Sequence, residues 1–418
     1  MDFKKKILSD PLNKWVFDHS PEETYLVGGY IRDILRGEEP EDKDFVLRGD
    51  AEKIGRKAAR MFGGKIIALH NKQTFRVALK GRKFVDFSPL KNQIMNDLQS
   101  RDFTINAIAW SPGSGIMSPD NYIDDIKNRV VRHIKPQNLL DDPLRILRAY
   151  RLSAQLEFKI ESATRMLLKK FSGKIESAAP ERITEELFKL LNDKNAFNYV
   201  QLCAEDNVLS RLLYLSNCNI AINIDTIKTY DYLLQKYQGK NKRVDMNYYL
   251  CTELSQGLKR YGFIRFYLLL RKYNKKAQRI YYRGTASEIM SKNRMLRVST
   301  RIRKSLCYME KAESIFSGRI TERRLYQIFR NAGDCIYEIA IIQSIMKPGS
   351  HRRFIDKAKE FLHTKNNTLL NGRDIIKILG LESGRVIGEI RDSVLENQFY
   401  GDIRNRREAR EFIIRNFT

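Results

Sequence analysis

Residues 24–49 read TYLVGGYIRDILRGEEPEDKDFVLRG, and their reading decides the fold of the first third of the chain. TYLV is β-rich and runs into the turn at Gly28 and Gly29; YIRDILRG has a helical pattern closed by glycine, and DKDFVLRG returns to strand. The alternation continues outward. AEKIGRKAARMFGG (51–64) predicts a helix ending in glycines, and KIIALH, TFRVALK and KFVDFS predict three more strands separated by HNKQ and GR. Up to about residue 135 the expectation is therefore an α/β domain with a small mixed or antiparallel sheet. From Asp142 onward strand signals almost vanish and helical periodicity runs to the C-terminus, so the class expected is α+β.

At 418 residues the chain is too long for one ordinary core, and 42% hydrophobic residues suffice for several. Lys and Arg number 76 against 50 Asp and Glu, a formal charge of +26, which favours a polyanionic partner: RNA, DNA or an anionic surface. No run of residues is long and apolar enough for a membrane span, and MDFKKKILSD lacks a signal peptide's apolar stretch, so a cytoplasmic protein is expected. The five cysteines (203, 218, 251, 307, 335) form no CxxC pair and are read as reduced and mostly buried. Residues 257–304 are dense in Lys and Arg, contain Glu288 as their only acid, and are interleaved with aromatics from Tyr261 to Tyr282. They are the first candidate for an RNA-binding surface, although aromatics at that spacing more often fill a core. KPGSHRR (347–353) reads as an exposed basic loop.

Three carboxylates stand out. Asp42 and Asp44 alternate along one expected strand, which puts both side chains on the same face about 7 Å apart. Such a pair repels itself unless a cation lies between, and hard cations take oxygen ligands that phosphate oxygens can complete. Asp86 in VDFS could reach the same spot from a neighbouring strand. DxD alone is common and usually solvated. Here it follows a glycine turn, where backbone N–H groups can approach an anion, with Arg32 one turn in as a candidate phosphate partner.

GGYIRD, DKD, VDFS, SRDFTINAIAW, YIDDIKNRVVRHI, DDPLRILRAYRLSAQLEF and ERITEELFKLL together resemble, in order and spacing, the class II tRNA nucleotidyltransferase and poly(A) polymerase family. NGRDIIKILGLESGRVIGEIRD near the C-terminus is similar to the tail of these enzymes. The resemblance implies a catalytic head (1–137), a helical neck (138–205), and an RNA-binding body (206–330) and tail (331–418). It implies that Asp42 and Asp44 hold two Mg²⁺ ions, and that Asp86 completes the catalytic set. The 3′-hydroxyl of an RNA would then attack the α-phosphate of a nucleotide and expel pyrophosphate. Gly28, Gly29, Arg32, Arg101, Asp102 and Asn106 fall at or beside nucleotide-contacting positions.

In DDPLR the resemblance assigns Asp142 and Arg145 to reading the base, and Arg148 and Arg151 to the neighbourhood of the triphosphate. Cytosine and adenine both present an amino donor beside a ring-nitrogen acceptor, so a carboxylate plus a guanidinium pairs with either. Uracil and guanine present the reverse and leave buried groups unpaired, at about 1–3 kcal/mol each. Asp142 before Pro143 also has the form of a helix N-cap.

Two departures from the family pattern matter. Asp141 replaces the usual glutamate, and only 14 residues, FSPLKNQIMNDLQS, separate Asp86 from Arg101. That shortened segment resembles the CC-adding enzymes, which leave the terminal A to a partner A-adding enzyme. The expected activity is transfer of C residues from CTP to the 3′ end of tRNA. The alternatives are a full CCA-adding enzyme using CTP and ATP, a poly(A) polymerase, and an inactive RNA-binding relative. No histidine precedes an aspartate, so the HD-type hydrolase module of some relatives is not expected.

Overall fold

The computed structural model describes residues 3–40, 42–69, 73–81, 83–239, 244–271, 286–315, 320–346 and 351–417. They form two compact units, residues 1–212 and 213–418.

The first unit opens with helices that the sequence patterns did not single out, α1 (Phe3–Leu8) and α2 (Pro11–His19). The second is capped by Asp10, whose carboxylate accepts from the N–H groups of Leu12 and Asn13. Then come β1 (Thr24–Val27), α3 (Gly29–Leu35), β2 (Lys43–Leu47), α4 (Ala51–Phe62), β3 (Lys65–Leu69), β4 (Thr74–Ala78) and β5 (Phe84–Pro89), at the expected places. Asp50 caps α4 at its start, and Gly63 ends it in the left-handed conformation, φ 67°. α5 (Ile94–Gln99), β6 (Ala109–Ser111), β7 (Gly115–Met117) and α6 (Tyr122–Lys127) complete the head.

The seven strands form one mixed sheet in the order β3-β4-β5-β2-β1-β6-β7, with β2 and β5 parallel and the other pairs antiparallel. Phe45 and Phe87, neighbours across β2 and β5, stack at 5.6 Å, and Phe17 of α2 packs edge-on against Phe45 and Trp110. Near them α4 approaches the sheet closely: a methyl at Gly55 would lie 3.1 Å from Ile66. The opposite face, to which Val27 and Val46 belong, packs against Leu90, Ile94 and Leu98. The segment read from sequence as a short loop between Asp86 and Arg101 is thus the end of β5 followed by a packed helix.

Beyond the sheet the chain turns helical, as expected, with α7 (Pro136–Asp141), α8 (Leu144–Leu156), α9 (Ser162–Lys170), α10 (Pro180–Leu191) and α11 (Ala196–Glu205). Two short strands, β8 (Val130–Val131) and β9 (Lys159–Ile160), pair in parallel. α8 is buried along most of its length, with Leu144, Leu147, Tyr150 and Leu152 on its apolar side.

Among the described residues the second unit is helical apart from a hairpin of Glu253–Ser255 and Leu258–Lys259, and its last helices enclose Leu370, Ile375, Ile387, Ile390 and Val394. Within the basic stretch 257–304, Phe263, Phe266 and Tyr267 are core residues. Arg260, Arg265 and Arg271 also turn inward, onto Glu338 (2.6 Å), Asp231 (2.9 Å) and Glu313 (2.9 Å). The exposed cations of that stretch are Lys259, Lys292, Arg294, Arg297, Arg301 and Lys304, while its residues 272–285 lie outside the described residues. Residues 347–350 of the expected basic loop also lie outside them, and His351 to Arg353 open a helix, His351–Asn366. The cysteines are less uniformly buried than expected: Cys203 and Cys335 are buried, Cys307 is half-buried and Cys251 exposed. The side chain of Cys218 lies outside the described residues.

A Cβ added at Gly64, between α4 and β3, would sit 2.8 Å from a Val77 methyl and 2.9 Å from the Ala78 carbonyl oxygen. The backbone oxygen cannot swing aside as a side chain can. Gly64→Ala should therefore lower stability by about 1–3 kcal/mol, measurable by urea denaturation.

Candidate active site

The sheet register builds the site. Asp44 of β2 lies opposite Asp86 of β5, and Asp86 lies opposite Arg76 of β4, so three charged side chains stand in one row across adjacent strands. Arg76 donates to both oxygens of Asp86, at 2.8 and 2.7 Å, and its guanidinium also lies over the Phe84 ring. Contrary to the sequence expectation, Asp42 does not share the strand with Asp44: β2 begins at Lys43, and Asp42 lies exposed just ahead of it. Lys43 itself turns away, onto Asp10 at 3.1 Å.

Asp44 is the most perturbed carboxylate of the site. Burial and then the neighbouring charge of Asp86 push its pKa up to about 6, against the opposing pull of Arg101. Asp86 and Asp42 add like charge that Arg101 and Arg148 only partly offset, and the carboxylate oxygens of Asp42 and Asp44 suit a hard divalent cation. Among the described residues no group of three or more His, Cys, Asp or Glu side chains is arranged to hold a metal. At this site both oxygens of Asp86 are taken by Arg76.

Gly28 has φ 73°, and a Cβ there would lie 3.1 Å from Arg101 Nη1 and 3.8 Å from Asp44 Oδ2. Glycine therefore lets Arg101 pass beside Asp44. The Gly28 N–H, expected to face an anion, instead donates to the Ile108 carbonyl at 2.8 Å. Arg101 is steadied from behind by Asp97, which accepts from Nε and Nη2 at 3.1 and 3.0 Å. Gly29 lies close to the Arg32 guanidinium. Arg32 is buried, its paired nitrogens on Asp33 (2.9 Å each) and its remaining nitrogen on Asn106 Oδ1 (2.7 Å).

RDFTIN is an extended entry into a 3-10 turn, Thr104–Asn106. The reason is Asp102. Its buried carboxylate accepts from the Phe103 N–H (2.8 Å) and the Asn106 amide (3.0 Å) and forms an ion pair with Arg148 of α8 (2.8 Å). Burial works to raise its pKa, but the Arg148 charge and these hydrogen bonds hold it below the usual carboxylate range.

DDPLR bridges two helices. Asp142 ends α7 in an extended conformation, Pro143 turns the chain, and α8 starts at Leu144, whose N–H donates to Asp142 Oδ1 at 3.3 Å. Asp142 thus caps the helix loosely while its carboxylate lines the cleft. Arg145 Nη1 donates to the Asn138 carbonyl at 3.0 Å. Asp141, at the position where the family usually has glutamate, is exposed and accepts from Gln137 at 2.7 Å. What steadies Arg145 here is the backbone of α7, itself tied by the Asn138 amide to the carbonyls of Gln99 and Arg101.

The residues singled out in the sequence all line one cleft of about 1250 Å³: Gly28, Gly29, Arg32, Asp42, Asp44, Asp86, Arg101, Asp102, Asn106, Asp142, Arg145, Arg148 and Arg151. Three partners escaped the sequence reading. Arg76 holds Asp86; Glu186 holds Arg151 at 2.9 Å; Arg182 holds Asp142 at 2.8 Å. The last two belong to ERITEE, where a spacing of four on a helix with an apolar face marks one side of it.

Residues 24–132 match the poly A polymerase head domain, and residues 157–214 match the probable RNA and SrmB-binding site of polymerase A. A CC-adding tRNA nucleotidyltransferase of Geobacter sulfurreducens is 29% identical over 94% of this chain and 92% of its own. An A-adding tRNA nucleotidyltransferase of Deinococcus radiodurans is 34% identical over 42% of each chain. The solved Thermotoga maritima CCA-adding enzyme complexed with tRNA shares the fold, with a TM-score of 0.68 at 24% identity over 94% of this chain and 91% of its own. Among the described residues no helix is long and apolar enough to cross a membrane.

A carboxylate whose pKa rises on folding destabilises the folded state while it is ionised and ceases to do so as it becomes protonated. The contribution of Asp44 is therefore unfavourable above about pH 6 and fades toward pH 4. Asp44→Asn should raise the melting temperature at pH 7.5 without divalent ions, by an amount that shrinks as the pH is lowered to 4. Thermal melts of both proteins across that range check it, and a variant less stable at every pH would contradict it.

Proposed function

Because the chain belongs to the family of class II tRNA nucleotidyltransferases and poly(A) polymerases, we propose that it adds C residues to the 3′ end of tRNA, using CTP and releasing pyrophosphate. The observation that carries this reading is the convergence of Asp42, Asp44, Asp142 and Arg145 on one cleft. Two carboxylates suited to metal-assisted phosphoryl chemistry face a carboxylate and a guanidinium suited to a base edge.

Asp42 and Asp44 would hold the divalent ions, Mg²⁺ being the expected species, which supply charge neutralisation on the triphosphate and activation of the 3′-hydroxyl. Arg101, beside Asp44, offers the cleft a cation for developing phosphate charge. Arg148 and Arg151 point their charges toward the same space from α8, each steadied by an acid, Asp102 and Glu186. Asp142 accepts from the base amino group, and Arg145 donates to the ring nitrogen. Held on the Asn138 carbonyl by one nitrogen, Arg145 has others free by chemistry to meet the base. Asp86, held by Arg76, acts beside Asp44 as a fixed negative charge.

Selection of C alone rests on the segment between Asp86 and Arg101. Leu90, Ile94 and Leu98 are buried against the sheet, which leaves this segment little freedom to reshape the site between one nucleotide and the next. The long match to a relative named for CC addition supports the same choice. Full CCA addition is the second reading. It is favoured by the shared amino-donor and ring-acceptor pattern of C and A, and by the fold shared with an enzyme named for it. Under the first reading, a separate A-adding enzyme completes the end.

Given a tRNA lacking its 3′ end and supplied with both CTP and ATP, the purified protein should stop after two C residues; a complete CCA end selects the second reading. Asp42→Ala or Asp44→Ala should abolish incorporation while gel-shift binding of tRNA persists. Arg145→Ala should narrow the preference for CTP over UTP by about 10- to 100-fold in kcat/KM, the equivalent of one unpaired buried group.

A further inference from the structure

We infer that Arg182 is a positioning residue that determines which oxygen of Asp142 reads the incoming base, an inference that rests on the base-reading role proposed for Asp142. Arg182 lies in the first turn of α10, one turn before Glu186, so one side of this helix presents both residues to the DDPLR helix. Its two terminal nitrogens donate to the two oxygens of Asp142, Nη2 to Oδ2 at 2.8 Å and Nη1 to Oδ1 at 3.3 Å. The Leu144 N–H also donates to Oδ1, at 3.3 Å.

Each carboxylate oxygen accepts about two hydrogen bonds. Oδ1 therefore has both of its sites filled, by Arg182 and Leu144, whereas Oδ2 has one filled and one left. The base amino group goes to that remaining site on Oδ2. A planar fork gripping both oxygens also fixes the rotation of the carboxylate, which a single point charge does not. With the carboxylate fixed, a base that offers a carbonyl instead of an amino group meets an oxygen lone pair that cannot turn away, and UTP is rejected. Without the fork the carboxylate can rotate, and the rejection weakens. Arg182 and Asp142 are partly exposed, 42% and 29%, so Arg182 can be replaced without leaving a buried charge unpaired.

Glu186, on the same helix, provides an internal comparison. It holds Arg151, which the proposed mechanism assigns to the triphosphate and not to the base. Glu186→Gln should change KM for CTP and leave the CTP-to-UTP ratio of kcat/KM in place. Damage spread through α10 would not separate the two readouts in this way.

The experiment measures that ratio for wild type, Asp142→Ala, Arg182→Ala and Arg182→Lys, together with the melting temperature of each. Asp142→Ala should lower the ratio most. Arg182→Ala should lower it by about 3- to 10-fold with little change in melting temperature, the range of a partial loss of one hydrogen bond. Arg182→Lys should behave like Arg182→Ala, because one ammonium cannot fix both oxygens. An unchanged ratio in Arg182→Ala beside a lowered one in Asp142→Ala overturns the role of Arg182 and leaves the base-reading proposal standing. Restoration by lysine overturns the fork. An unchanged ratio in Asp142→Ala overturns the base-reading proposal, and the role of Arg182 falls with it.

Discussion

The buried carboxylate of Asp102 is the junction on which the site depends. One oxygen shapes the turn that follows the sheet by accepting from Phe103 and Asn106; the other faces Arg148 on α8. Asn106 carries the connection on to Arg32. A single acid thus fixes the helix that carries Arg145, Arg148 and Arg151 relative to the strand that carries Asp44. An uncompensated charge would be left on either side if the other were lost, so the arrangement stands as a unit. The chemistry needs reacting groups held in one geometry, and this junction supplies that rigidity from within the first unit.

Much of the site was legible because its signals are local. The glycine turn before α3, the acids flanking Lys43 and the DDPLR helix start each announce themselves within a few residues. The strands β1 to β5 could be read from alternation and turn residues alone. What could not be read was pairing between distant segments. Arg76 and Asp86 are 10 residues apart, Arg151 and Glu186 are 35 apart, and Asp142 and Arg182 are 40 apart. Each pairing is set by strand register or by helix packing, which a one-dimensional pattern does not carry. Asp42 was misplaced for a smaller reason: DKD alternates like a strand, but β2 takes up only its last two residues.

Composition misled in one respect. A formal charge of +26 suggests a surface rich in cations for a polyanion, yet Arg260, Arg265 and Arg271 are internal counter-ions to buried acids. Their carboxylates, Glu338, Asp231 and Glu313, come from distant parts of the sequence, so the basic run 257–304 looked uncompensated only along the chain. Contacts to phosphate, if made by this stretch, fall to its exposed cations, and the salt dependence of binding should count only those.

The packed segment after Asp86 has a meaning for how such a site can change. Residues 91–93 are exposed, between the buried anchors Leu90 and Ile94. Extra residues inserted there would extend outward without removing an anchor, and each doubling of such a loop costs only about 0.6 kcal/mol in closure entropy. A mobile segment over the site is therefore one insertion away, and its stability cost is small. Under the proposal of C addition alone, what narrows the repertoire is the length of a tether, not the strength of the core.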